Sequence, residues 1–196
     1  AFDKVRTMPF SSVLMYEAAL SLAEVLTARN DLGRTRAEYD RLLKGSPEQF
    51  RDRVLFRLAE LNYFEARFDS AGAVLQRISG NATNDLTNDA LQLLYFIQEH
   101  KAAGQAALTE FALADLMVRQ RKYSEAIVRF QSVLTQYPTT ALRDDATMRI
   151  GELQLLLNRV EDALALFRTV TNDMPTSILR DHAQMRIGEI YESRLR

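Results

Sequence analysis

The side chains best placed for chemistry are carboxylates that recur at one register: Glu24, Glu60, Asp115, Glu152 and Glu189. Arg57, Arg149 and Arg186 stand three residues before Glu60, Glu152 and Glu189, so each pair is adjacent on a helix surface. Such a column has two uses. It is a row of ion pairs within helices, each worth about 0.2–0.5 kcal/mol, or a polar surface that receives a partner segment of complementary charge. One ladder can do both. Bond-making chemistry has less support. His100 and His182 are the two histidines, and neither has the HExxH spacing that sets two imidazoles on one helix face for a metal. His182, beside Asp181, offers a general base, but it opens a helix where Asp145 holds the equivalent place 37 residues earlier. It therefore reads as a solvated helix-start residue. His100 reads as a helix-ending cation facing the C-terminal dipole. Asp144 and Asp145 are adjacent and face different ways, so they form no glycosidase pair. The seven glycines make no phosphate-cradling loop and no GxSxG elbow. Without cysteine there is no disulfide, thiolate ligand or thiol nucleophile. No catalytic residue, cofactor or metal is expected. Asn81-Ala82-Thr83 fits a glycosylation triplet and reads as a loop.

The register itself comes from internal repetition, which for a period of 20–50 residues implies stacked units. Thr139–Leu153 reads TTALRDDATMRIGEL and Thr176–Ile190 reads TSILRDHAQMRIGEI, with ten of fifteen positions identical at an offset of 37. The same offset carries Ala126 to Ala163, Phe130 to Phe167, Val133 to Val170 and Pro138 to Pro175. Leu22-Ala23-Glu24-Val25 returns as Leu58-Ala59-Glu60-Leu61, Leu113-Ala114-Asp115-Leu116, Ile150-Gly151-Glu152-Leu153 and Ile187-Gly188-Glu189-Ile190, at steps of 36, 55, 37 and 37. The long step holds one extra helix at about 86–100. Each unit reads as two helices. Val54, Leu55, Leu58, Leu61 and Phe64 have helical spacing, with Ser46-Pro47-Glu48-Gln49 as a start signal. Ala71, Val74, Leu75 and Ile78 give the second helix its apolar face. Pro9, Pro47, Pro138 and Pro175 each stand where a second helix must stop. Phe2 and Val5 before Pro9 resemble Phe130 and Val133 before Pro138, so the chain reads as a fragment opening inside an earlier repeat. Gly151 and Gly188 sit inside helices, where Gly costs about 1 kcal/mol relative to Ala. Close helix approach is the expected reason for both.

Composition narrows the class. An apolar fraction of 47% suffices for a sizeable core. A net charge of −1, from 25 basic and 26 acidic side chains, disfavours a nucleic-acid binder. No apolar run nears the roughly 18 residues of a membrane span, so no direct membrane insertion is expected.

These residues resemble the tetratricopeptide repeat. Leu113-Ala114, Tyr123, Ala126, Phe130 and Pro138 match its pattern of large-small pair, turn aromatic, small residue, aromatic and closing proline. Ile150-Gly151, Val160, Ala163, Phe167 and Pro175 match with Val160 in place of the aromatic. Leu58-Ala59, Phe68, Ala71 and Leu75 match without the proline, and Leu22-Ala23, Leu32, Thr35, Tyr39 and Pro47 form the most degenerate copy. The resemblance implies one all-α domain, a right-handed α-α superhelix of antiparallel helix pairs. Its units are expected at about 11–45, 47–79, 104–138 and 141–175, with a capping helix at 178–195. In that family the acidic column faces the concave groove, which makes Arg57, Glu60, Asp115, Arg149, Glu152, Arg186 and Glu189 the candidate partner-binding residues. Leu20, Phe56, Phe111, Met148 and Met185 hold the place of the family's carboxylate-clamping lysines, so clamping of a C-terminal carboxylate is not expected. That apolar column reads as core between repeats. The function implied is a non-catalytic scaffold for a protein or peptide partner. Tyr137-Pro138 followed by Leu142-Arg143-Asp144-Asp145-Ala146 is similar to repeats of bacterial cell-envelope proteins, which implies a periplasmic or outer-membrane-associated setting. The alternative is a substrate-positioning arm of a larger enzyme. A homodimer through exposed terminal repeats is also expected.

Overall fold

The computed structural model describes residues 13–45, 48–80 and 85–195. The expected cap at Ser46-Pro47, the triplet Asn81-Ala82-Thr83 and the opening segment with Phe2, Val5 and Pro9 lie outside the described residues. The chain is all-α, with no strand among the described residues. Helices run α1 (Val13–Ala28), α2 (Leu32–Gly45), α3 (Glu48–Phe64), α4 (Phe68–Ser79), α5 (Thr87–Arg119), α6 (Tyr123–Gln136), α7 (Arg143–Leu156), α8 (Val160–Asp173) and α9 (Arg180–Leu195). α5 is two helices end to end, broken at Gly104, where the backbone is extended (φ 169°, ψ 92°).

Hairpins arise from one turn used four times. The first helix of each pair ends on a residue in the left-handed region: Asn30 (φ 63°), Ala66 (56°), Arg121 (60°) and Asn158 (58°). The next backbone N–H in each case reaches five residues back. Asp31 donates to Leu26 O at 2.9 Å, Arg67 to Asn62 O at 2.8 Å, Lys122 to Met117 O at 2.9 Å and Arg159 to Gln154 O at 2.8 Å. This is the Schellman closure, which satisfies a carbonyl that the helix end leaves orphaned. The second helix then starts on Leu32, Phe68, Tyr123 or Val160, the large residues of the repeat pattern. α4, α6 and α8 have no side-chain cap; Asp69, Glu125, Glu161 and Asp162 face the dipole in their first turns instead. α6 and α8 end two residues before Pro138 and Pro175.

The helices gather into two compact units. The first runs to Lys101 and takes in Arg119–Arg121; the second takes Ala102–Val118 and Lys122–Arg196. In the first, Tyr16, Ala19, Leu20, Ala23, Tyr39, Leu42, Val54 and Leu61 form a buried cluster. Tyr16 stacks on Phe50 with ring centroids 4.2 Å apart and donates its hydroxyl proton to the Phe50 carbonyl at 2.7 Å. His100 is corrected here: α5 continues past it, and the ring is buried edge-on to Phe96 at 4.5 Å rather than placed at a helix end facing the dipole.

In the second unit Phe111 meets Phe130 edge to face at 4.8 Å. Met148, Ala163, Leu164, Phe167, Val170, Ala183, Ile187 and Ile190 form one cluster across α7, α8 and α9. Gly151 has the expected close neighbour, since a methyl group added there would lie 2.6 Å from Phe167 Cε1. Gly188 does not: a methyl group there would meet nothing within 4 Å. Among the described residues no ring stands opposite Gly188 as Phe167 stands opposite Gly151. The apolar column divides likewise. Leu20, Phe111 and Met148 are buried and Phe56 is partly buried, whereas Met185 on α9 is 54% exposed. No helix among the described residues is long and apolar enough to cross a membrane.

Candidate partner-binding site

The ladder residues lie on the first helix of each pair, and within each unit arginine joins one such helix to the one before. In the first unit Arg57 on α3 reaches Glu60 one turn on at 2.6 Å and Glu24 on α1 at 3.4 Å. In the second, Arg186 on α9 forks onto Glu152 of α7 through two bonds of 2.7 Å and also pairs with Glu189 on its own helix. Arg149 on α7 approaches Asp115 on α5 at 3.5 Å. The i,i+3 spacing pointed to pairs within helices. The cross-helix half was hidden, because it depends on a repeat offset that sets an arginine opposite the carboxylate one unit earlier. The long arginine stem does the bridging, and its planar fork matches a carboxylate edge.

Electrostatics separate the two units. The Arg57 guanidinium is partly buried, which by itself would lower its pKa; the Glu60 and Glu24 carboxylates outweigh this and hold it above the ordinary arginine value. Arg186 is raised first by its hydrogen bond to Glu152; burial opposes this, and Glu189 adds to the rise. Arg149 is 54% exposed and Glu189 48%, so this part of the column meets solvent. Ion pairs at that exposure contribute about 0–1 kcal/mol, and the core would stand without them.

A shallow depression in the first unit adjoins its pair, lined by Glu24, Thr27, Tyr39, Arg57, Glu60 and Phe64 among others. Burial pushes the Tyr39 phenol up to about 12, against the pull of Arg57. The phenol is therefore a neutral group at physiological pH.

Among the described residues no group of three or more His, Asp or Glu is arranged to hold a metal ion. His182 and Asp181 are exposed in the first turn of α9. Asp144 does a structural task that the repeat motif had not revealed. Its Oδ2 accepts the Ser177 hydroxyl at 2.5 Å, and Ser177 Oγ in turn accepts the Leu179 N–H at 3.1 Å. α7 thereby latches the turn between α8 and α9.

The geometry is that of a helix-hairpin array with a polar ladder. No curated protein matches the chain. The family model of the tetratricopeptide repeat matches residues 117–183, from the end of α5 through α6, α7 and α8 into α9.

Proposed function

We propose that this chain, whose residues 117–183 match the family model of the tetratricopeptide repeat, is a non-catalytic scaffold that binds protein segments on the ladder face of its units. Arg57 and Glu60 serve in the first unit; Asp115, Arg149, Glu152, Arg186 and Glu189 serve in the second. The observation that carries this reading is that charges linked helix to helix reach solvent in the second unit, where Arg149 is 54% exposed and Glu189 48%. Each carboxylate accepts about four hydrogen bonds, so carboxylates already gripped by arginine keep lone pairs for donors on a partner. The recognised segment is one rich in N–H donors, Lys or Arg side chains or an extended backbone, and it carries no free C-terminal carboxylate at the ladder. The triple variant Glu60→Lys, Glu152→Lys and Glu189→Lys tests this. We expect proteins captured from native lysate by the parent to be lost from the variant while its circular dichroism and melt stay near the parent's. Retention of every partner would contradict the reading.

The setting we propose is the bacterial envelope, on the similarity of Tyr137-Pro138 and Leu142-Arg143-Asp144-Asp145-Ala146 to envelope repeats. Release of the full-length protein with the periplasmic or outer-membrane fraction supports it; recovery with the cytosol sinks it.

A further inference from the structure

The hairpin turns share one backbone shape but not one charge pattern. After α3, Arg67 meets Glu65 at 3.5 Å, and Asp69 follows in the first turn of α4. After α7, Arg159 donates to Gln154 Oε1 at 3.4 Å, and Glu161 and Asp162 follow in α8. Each of those turns keeps its arginine on an acceptor of its own. The turn after α1 is built otherwise. α2 has no acid in its first turn. Asp31 is already engaged by Arg34, whose backbone N–H it accepts at 3.2 Å and whose guanidinium it meets at 3.6 Å. Arg29, two residues before Asp31, is exposed.

More cations are brought to this turn. The first unit contains Arg119–Arg121, and the Gln120 side-chain amide donates to Asn30 Oδ1 at 2.8 Å. That bond joins the left-handed turns at Asn30 and Arg121. The arginines flanking it in sequence, Arg29 on one side and Arg119 and Arg121 on the other, therefore come within side-chain reach of one another. Arg119 meets Glu60 at 3.2 Å, a carboxylate that already holds Arg57 at 2.6 Å. Arg34 is 60% exposed and Arg119 38%, and Arg121 is exposed as well. Four guanidiniums thus stand against Asp31 and a shared Glu60. The dipole of a helix C-terminus favours a cation there, which accounts for one arginine at each helix end. It does not account for four gathered about one hydrogen bond.

We propose that this turn edge of the first unit is a docking site for an acidic segment of a partner protein, whose Asp or Glu side chains pair with Arg29 and Arg121. The planar guanidinium fork takes a carboxylate edge through two bonds, and the Asn30–Gln120 bond holds the two turns together before a partner arrives. Arg119 stays on Glu60 and marks where the edge borders the ladder. A nucleic acid fits less well, because its phosphate backbone calls for a basic surface and the chain as a whole carries a net charge of −1. This edge favours the opposite sign of partner charge from the ladder, and either site can exist without the other.

A fluorescently labelled peptide of alternating Asp and Glu residues is the probe, titrated with the full chain by anisotropy at low salt. We expect saturable binding that weakens as salt is added. The double variant Arg29→Glu with Arg121→Glu should weaken it by roughly tenfold or more, since it sets like charges against the peptide. Arg29→Gln with Arg121→Gln, which removes the cations without adding acids, should act in the same direction. Arg51→Glu with Arg77→Glu, exposed on α3 and α4, makes the same change in net charge as the first pair and should leave binding unchanged. Absence of saturable binding overturns the proposal. Equal weakening by the Arg51 and Arg77 pair also overturns it, because the attraction would then be to the chain's bulk charge. Tighter binding of a single-stranded oligonucleotide or of phosphatidylglycerol vesicles, lost with Arg29 and Arg121, overturns it in favour of phosphate.

Discussion

Gly151 and Gly188 share a sequence environment and differ in what stands opposite. Phe167 is fully buried and cannot yield, so Gly151→Ala should destabilise by about 1–3 kcal/mol through overpacking. Gly188→Ala adds a methyl group to open space and should stabilise by about 0.5–1 kcal/mol, by removing the entropic cost of Gly in a helix. Urea midpoints of the two variants check this, and changes of the same sign would show that the residues share one environment. Two phenols make a second prediction. Burial raises Tyr16 and Tyr39 from 10 to about 12. Between those values the unfolded chain loses phenolic protons that the folded chain keeps, so stability falls as pH rises from 10 towards 12 and is untouched by these groups below 10. Tyr39→Phe should flatten that fall. An alkaline melting profile identical to the parent's would remove the burial argument. At this scale much was legible in the chain: the repeated Glu and Arg, the small positions, the apolar column. Neighbours one unit away were not, which is why the Glu152–Arg186 fork and the Asp144–Ser177 latch came only with coordinates.

Helices and turns divide along the same line. Proline placement and 3.6-residue spacing located most helices, because both act through the local backbone. The four left-handed turns escaped notice since only Asn30 and Asn158 carry a residue type suited to that conformation; Ala66 and Arg121 are held there by the hairpin. Relief of that strain predicts that Ala66→Gly and Arg121→Gly each raise stability by about 0.5–1 kcal/mol, whereas Asn30→Gly and Asn158→Gly change it little. Thermal denaturation distinguishes these outcomes, and a loss at Ala66 would mean that the methyl group packs rather than strains. His100 was misjudged because α5 does not stop where the apolar spacing weakens. Its break comes at Gly104, four residues beyond His100.

At the scale of the molecule, repetition converts a weak local signal into a surface within each unit. Each hairpin buries its core mainly against its neighbours. In the second unit a first-helix side that recurs at 37 residues, through Asp115, Glu152 and Glu189, becomes a column of like groups, and a column of paired charges suits an elongated partner better than a small ligand. The most direct measurement is site-specific photo-crosslinking in the second unit. One photoreactive residue replaces Arg149 on the ladder, 54% exposed, and another replaces Val128 on the side of α6, 63% exposed. The account predicts partner adducts from position 149 and none from position 128. Adducts from 128 alone would place the binding face on the second helices and contradict it.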